Sequence, residues 1–414
     1  MVGSHRLPLL RDWHTHPLLY AALVDGVDLG RDPAETREQA VRRVRTAAGG
    51  AGWTIAHGWN SGRYPLGKAD FDDLPPVAVI NLSLHGFVVN DAALAVIRHA
   101  DPVVADHLAD QEWTERNLRR VLNVFARAGA SAERLRRFYD WLLAEHGVYH
   151  AEEMLLVGED EVRLFDAAGL AEQTTFWAAP DLYETLPPAV QTRVHGIKLF
   201  TDGALGARTA ALHHPYRGSD DAGLLLYDRD ELAPLLARYL GKGKPMAVHA
   251  IGDRAIDQVV AAAESVGPRA GLLRVEHAQF ISEPTARRAK ALGVTLCMQP
   301  NFSDDSACYA DRLPDGYPER NNPFRLLIDR VGYTPGADLV FGSDGMPHGV
   351  GDGLRQALFP PHAGQALTIA EFAAGYGLRD LGPGHIEVEV DPANRRVTHR
   401  VVAGGPGESA PHAG

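Results

Sequence analysis

The chain has 414 residues, enough for one large domain with insertions or for two or three of average size. Hydrophobic residues make up 45% and charged residues 23%, the balance of a globular protein with a sizeable core. The formal net charge of −12 argues against nucleic acid as a partner, because phosphate binding needs a clustered basic face.

Short β-branched and apolar runs alternate with helical patterns along the chain, which predicts parallel βα units. Ten strands are expected, at Leu9–His14, Trp53–His57, Val77–Leu84, Val148–Met154, Thr174–Ala178, Val194–Phe200, Pro245–Ala250, Leu272–Ala278, Val294–Gln299 and Leu339–Ser343. That is two more than a (β/α)8 barrel needs, so one of the early ones is assigned as accessory. Helices are expected at Ala34–Ala48, Glu115–Ala128, Ala132–Glu145, Arg229–Leu240, Arg254–Ser265 and Glu283–Ala291. Two long stretches, Ala204–Asp228 and Asn301–Asn322, lack a regular pattern and follow strand C-terminal ends, the catalytic face of a barrel. The Gly/Pro/Ala-rich segment 404–414 reads as a disordered tail.

No apolar run reaches the roughly 18 residues of a membrane span, and the first residues lack a signal-peptide stretch. The two cysteines, Cys297 and Cys308, suit a reducing compartment, and Cys297 in Val294–Met298 reads as a buried small hydrophobe. A cytoplasmic protein without nucleic-acid or membrane partners is expected; a homodimer is compatible with the sequence.

His14-Thr15-His16 closes the first strand, and a spacing of two puts both imidazoles on one face. Alone, such a pair is as readily a turn as a metal site. Asp12 lies on the same face, where it would accept from an imidazole N–H. His249 and His277 each end a further apolar strand, and Asp344 ends another. His249 and His277 are 28 residues apart, close to one βα unit, and His277 and Asp344 are 67 apart, close to two. Four imidazoles and a carboxylate at the ends of four barrel strands converge over the axis, as a site for Zn²⁺ or a related divalent ion requires. Lys198 lies within the apolar strand Gly196–Phe200. A lysine pointing into a barrel must snorkel, pair, for which Asp202 is available, or lose its charge and become open to carbamate formation.

The stretches Asp12-Trp-His-Thr-His-Pro17, Lys198-Leu-Phe-Thr-Asp-Gly-Ala-Leu-Gly-Ala-Arg-Thr209, Val248-His-Ala-Ile-Gly-Asp-Arg-Ala255, Arg274-Val-Glu-His-Ala-Gln279 and Ser343-Asp-Gly-Met-Pro347 resemble the amidohydrolase superfamily, in the branch that contains N-substituted formamide deformylase. The resemblance covers residues 12–347 in order and implies a distorted (β/α)8 TIM barrel. It implies that His14, His16 and Asp344 bind a more buried metal. Lys198, carboxylated to N6-carboxylysine, would bridge to a second metal held by His249 and His277. Asp344 would also take a proton from the attacking water and pass it to the leaving group, and a divalent metal brings the pKa of water toward ~7.

Two further residues are substrate-side candidates on the same resemblance. His85 would face the cleft as a carbonyl or oxyanion donor, or else cap the helix beginning near Asp91. Arg208 would hold a substrate carboxylate, or else pair with Asp202 or Asp220. Trp13, Trp59, Phe302 and Tyr309 are candidates for shaping the pocket or filling the core. The sequence departs from its relatives in reaching the HxH pair by residue 14, which implies that the small β-sandwich is reduced to one or two strands (384–403 following a barrel over 1–383) or is absent. The activity expected is hydrolysis of a C–N bond in a small amide, formamide or cyclic amide. The same site acting on an ester, a deaminatable ring or a C–C bond, and an inactive metal-binding scaffold, are the alternatives.

Overall fold

A computed structural model describes residues 3–30, 34–48, 53–378 and 384–404. The strands in chain order are β1 (Gly3–Pro8), β2 (Leu10–Thr15), β3 (Val27–Asp28), β4 (Thr54–Trp59), β5 (Val77–Asn81), β6 (Phe87–Val89), β7 (Val148–Glu153), β8 (Thr174–Ala178), β9 (Val194–Phe200), β10 (Met246–Ala250), β11 (Leu273–His277), β12 (Thr295–Met298), β13 (Leu339–Phe341), β14 (Gly384–Asp391) and β15 (Arg396–Ala403).

Eight of these form a parallel sheet in the order β13-β12-β11-β10-β9-β8-β7-β2, and it curls into the (β/α)8 barrel. Every residue of β10 and β11 is buried, the pattern of parallel strands covered on both faces. The barrel closes where β13 meets β2: the Asp344 N–H donates to the His14 carbonyl at 2.7 Å. Gly342 permits this approach, because a Cβ there would lie 2.5 Å from the His14 nitrogen. Asp12 fastens the seam from below, accepting from the backbone N–H of His14 (3.2 Å) and of Ser343 (2.8 Å) and from the Ser343 hydroxyl.

The expected strands at 53–57 and 77–84 both lie outside the barrel, as β4 and β5 of a separate sheet ordered β3-β4-β5-β6, so more than one early strand is accessory. The reason is that β3, β4 and β5 run parallel and bury their own apolar cluster, including Val44, Phe71 and Val79. The terminal β unit, expected to keep one or two strands or none, is larger. It has three strands, because β1 pairs antiparallel with β14 and β14 with β15; residues 3–8 therefore belong with 384–403 and not with the barrel. The alternation of β1 is masked in the sequence by three exposed residues in succession, Ser4, His5 and Arg6.

The helices at Ala132–His146, Arg229–Leu240, Asp253–Val266 and Glu283–Ala291 fall at or within two residues of expectation. The expected helix at 115–128 is broken at Asn117 into Gln111–Arg116 and Leu118–Gly129. No helix among the described residues is long and apolar enough to cross a membrane. The segment 201–228 carries no helix or strand, whereas 300–320 contains three short helical turns. The tail expected at 404–414 lies, beyond Gly404, outside the described residues.

Candidate metal centre

Strand register decides which side chains enter the barrel. Lys198 on β9 is level with Ala247 on β10, and His249 on β10 is level with Glu276 on β11. Alternation therefore puts Lys198, His249 and Glu276 on one face, inward, and would send His277 outward. His277 instead has φ +68°, followed by Ala278 at +49°, and this left-handed kink turns the imidazole back over the barrel mouth. Its ring centroid lies 4.5 Å from that of His249 and 4.7 Å from that of His14. Asp344 is likewise left-handed, at φ +55°, where β13 ends. Two of the expected ligands thus owe their placement to a left-handed backbone.

Each of three imidazoles has one nitrogen committed to an acceptor. His14 Nδ1 donates to Glu276 Oε2 at 2.6 Å, His277 Nδ1 to Gln299 Oε1 at 2.8 Å, and His249 Nε2 to the Gly203 carbonyl at 3.0 Å, with Asp202 Oδ1 3.3 Å away. The opposite nitrogen in each ring is left with its lone pair, the form a metal takes. His16 Nε2 lies 3.0 Å and His14 Nε2 3.8 Å from Asp344 Oδ1, and these three buried atoms sit close enough to share one ion. Burial, then the Lys198 charge, pulls His14 down to about 4, and burial, with any positive charge on the adjoining His249, His14 and Lys198 acting in the same sense, puts His277 well below the usual histidine range. Both rings are neutral at pH 7. Burial alone would raise Asp344, but His14, His16 and Lys198 hold it lower, as a carboxylate.

Lys198 is 2% exposed, and its ammonium finds no hydrogen-bond partner among the described residues. Burial lowers it to about 8 against the opposing pull of Glu276 and Asp344. The alternative pairing with Asp202 is not made: that carboxylate accepts the backbone N–H groups of Ala211, Ile251 and Gly252 and shapes the turn after β10. A buried amine without a hydrogen-bond partner, beside free imidazole nitrogens and a carboxylate, fits the neighbourhood of a divalent ion.

Beneath the ligands the barrel bore is polar. Arg274 donates to Glu276 Oε1 at 2.5 Å and to Glu152 Oε2 at 2.9 Å, and Glu152 also takes Arg11 at 2.6 Å and the Trp177 indole at 2.7 Å. Glu276, not Asp12, is therefore the carboxylate that orients an imidazole; Asp12 is used up on the β2–β13 seam. Glu276 follows from its register opposite His249, a signal that counting strand ends does not use. A second buried set, His14, Glu276 and Cys297, also lies within ligand range, but Arg274 already occupies its carboxylate.

Above the ligands a cleft of about 1990 Å³ opens between the barrel mouth and the β3–β6 sheet, lined by His85, His249, His277, Phe302, Tyr309 and Asp344 among others. His85 faces it, with Nδ1 donating to the buried Glu115 at 2.6 Å and its ring 5.9 Å from His249. It does not cap the next helix, since Asn90 accepts from Ala93 there. Burial would lower His85, yet Glu115 more than offsets this and holds it above the usual range. Glu115, itself fixed by the Thr209 hydroxyl at 2.7 Å, was not visible in the sequence, because it lies 30 residues away on an inserted helix.

Arg208 is not brought to the cleft: it is exposed at φ +59°, and neither of its alternative ion pairs, to Asp202 or Asp220, is made. A side chain at a loop apex has no strand to aim it. Phe302 stacks on His277, whereas Trp59 is core, donating to the Tyr64 carbonyl, and Trp13 packs under Arg11.

Residues 3–354 match the Amidohydrolase family. The chain belongs to that family. The protein YtcJ of Bacillus subtilis (strain 168) is 29% identical over 300 residues, 63% of this chain and 56% of YtcJ. The Arabidopsis thaliana protein LONG AFTER FAR-RED 3 is 33% identical over 124 residues, 28% of this chain and 21% of that protein. The chain thus spans about half the length of the first of these relatives and about a fifth of the second. Among solved structures, an uncharacterized metal-dependent hydrolase from Pyrococcus horikoshii OT3 aligns with TM-score 0.60 at 23% identity, covering 86% of this chain and 75% of its own. One from Pyrococcus furiosus aligns with TM-score 0.61 at 22% identity, covering 90% and 81%. These structures share the barrel fold.

Proposed function

We propose that this amidohydrolase-family chain is a metal-dependent hydrolase that cleaves a C–N bond of a small amide, formamide or cyclic amide. The observation that carries the reading is the set of imidazoles with one nitrogen tied down and the other free, beside Asp344 and the unpartnered Lys198 amine. His14, His16 and Asp344 would hold one ion, of which Zn²⁺ fits the donor set; His249, His277 and a carboxylated Lys198 would hold a second. Such an ion supplies Lewis acidity toward a carbonyl and makes water acidic near neutral pH.

The chain's own groups then divide the remaining work. Asp344 takes a proton from the attacking water as its oxygen bonds to the carbonyl carbon, and delivers that proton to the nitrogen as the C–N bond breaks. His85, held by Glu115, donates a hydrogen bond to the carbonyl oxygen as it gains charge. The Tyr20 hydroxyl donates to the Asp344 carbonyl at 2.9 Å and fixes the backbone that carries the base. The test is a panel of matched formamides, amides, cyclic amides and esters assayed on metal-supplemented and chelator-treated protein. Amine release that needs metal and is lost in Asp344→Asn is expected. Turnover of esters alone, or amide turnover unchanged by chelation, would overturn the reading.

A further inference from the structure

The irregular stretch 299–322 forms one wall of the cleft, and its polar groups are unusual in kind. Gln279 Nε2 donates to Asp305 Oδ2 at 2.9 Å and to Asn321 Oδ1 at 3.1 Å, so its amide orientation is fixed by two acceptors. Its oxygen Oε1 is left without a donor on a residue only 1% exposed. Asn301 repeats the arrangement. Its Nδ2 donates to the carbonyls of Ser343 (2.9 Å) and Met346 (2.7 Å), and its Oδ1, on a residue 5% exposed, is likewise unpartnered. Buried polar atoms without partners cost free energy and mark places where a group is missing.

Among the described residues Asp304 and Asp305, adjacent on the same wall, form no ion pair; Asp304 Oδ2 accepts only from the Cys308 thiol, at 3.4 Å, although Arg63 lines the same cleft. Burial pushes the Asp305 carboxyl up to about 7, with the neighbouring Asp304 adding to the rise against the Gln279 hydrogen bond. Two carboxyl groups without an ion pair and two amide oxygens without donors give this wall an excess of acceptors. It has no use for a substrate carboxylate, the ligand expected for Arg208.

We propose that this wall, centred on Asp305 with Asp304, Gln279 and Asn301, is a recognition subsite for a protonated amine on the substrate. An ammonium carries three donors and no acceptor, supplies the missing counter-charge, and would leave the scissile carbonyl free to reach Asp344 and His85 across the cleft. The inference rests on the hydrolase reading for its substrate but not for its binding chemistry.

The test therefore has two arms on the metal-loaded protein. Calorimetry measures binding of 1,4-diaminobutane, pentan-1-ol and pentanoate, none of which can be hydrolysed. The diamine is expected to bind at least about tenfold tighter than the other two, the scale of one charged hydrogen bond, and Asp305→Asn is expected to remove that preference. Asp304→Asn, on the adjacent residue of the same wall, provides a second variant if Asp305→Asn lowers the melting temperature. In the second arm, N-formyl derivatives of 1,4-diaminobutane, pentylamine and 5-aminopentanoate are compared by kcat/KM. Diamine binding without turnover of any of the three would remove the hydrolase reading and keep the subsite. Equal binding of the diamine to wild type and both variants, or tighter binding of pentanoate, would overturn the subsite.

Discussion

The Asp344 N–H donates to the His14 carbonyl, and through this one hydrogen bond the last barrel strand delivers the acid to the HxH pair of the first. Fold closure and the assembly of the candidate ligands are the same contact. Anything that loosens the β2–β13 seam should therefore be read out twice, in stability and in metal affinity.

Asp12 offers the most direct access to that seam. Its fully buried carboxylate accepts from two backbone N–H groups and a hydroxyl, and Asp12→Ala would leave those donors unsatisfied. A loss of roughly 2–4 kcal/mol is expected, with weaker metal retention. Chemical denaturation and metal content after dialysis check the two together; a drop in stability with metal retention unchanged would separate closure from assembly.

Glu276 holds His14 by its Nδ1 proton from within the Arg274–Glu152 network. Glu276→Gln keeps the shape and removes the charge, and metal affinity should fall about 10–100-fold, as for other carboxylates that orient metal-bound imidazoles. Competition with a chromogenic chelator measures this. Unchanged affinity would mean that Glu276 serves only to neutralise Arg274.

These two residues show what the sequence could and could not reveal. Strand ends rich in His and Asp point to the barrel mouth because a strand's C-terminal residue is visible as the last of an apolar run. Glu276 and Asp12 look alike in sequence, each within two residues of a histidine, and only register and closure tell which one faces an imidazole. His277 sits on the outward parity of β11 and reaches the site through a positive φ that no sequence pattern specifies. Glu115 and the Gln279–Asp305 wall are assembled across insertions, where spacing carries no geometry. Arg208 fails for the complementary reason, a motif position carried by a loop with nothing to aim it.

In the metal-free protein the neutral imidazoles should make stability depend on pH. The folded-state value of His14 is about 4, below the ~6.5 of an unfolded histidine, so between these values the unfolded chain binds the extra proton. His277 acts in the same sense. Stability should be fully present above about pH 6.5 and fall by a few kcal/mol toward pH 4. Melting curves of chelated protein across that range check the sign; a flat or rising profile toward acid would contradict the buried neutral imidazoles.

Asp344→Asn should preserve the fold while lowering turnover by ~10²-fold or more, the usual contribution of a positioned acid–base group. Steady-state kinetics on a verified substrate, alongside circular dichroism, decide this. A variant retaining a tenth or more of wild-type rate would transfer the proton role to another residue.

Lys198 links the two expected metal positions. The unpaired amine with a value near 8 should be present in part as the free base at pH 8, take up CO2, and bind metal cooperatively with it. Reloading chelated protein with Zn²⁺ should accordingly be faster with bicarbonate than without. The decisive measurement is a high-resolution crystal structure of the Zn²⁺-loaded protein with anomalous data at the zinc edge. Ions are expected at His14, His16 and Asp344 and at His249 and His277, with carbamate density on Lys198. Anomalous peaks confined to sites away from these residues, or a bare Lys198 amine hydrogen-bonded within an ion-free barrel mouth, would contradict that expectation.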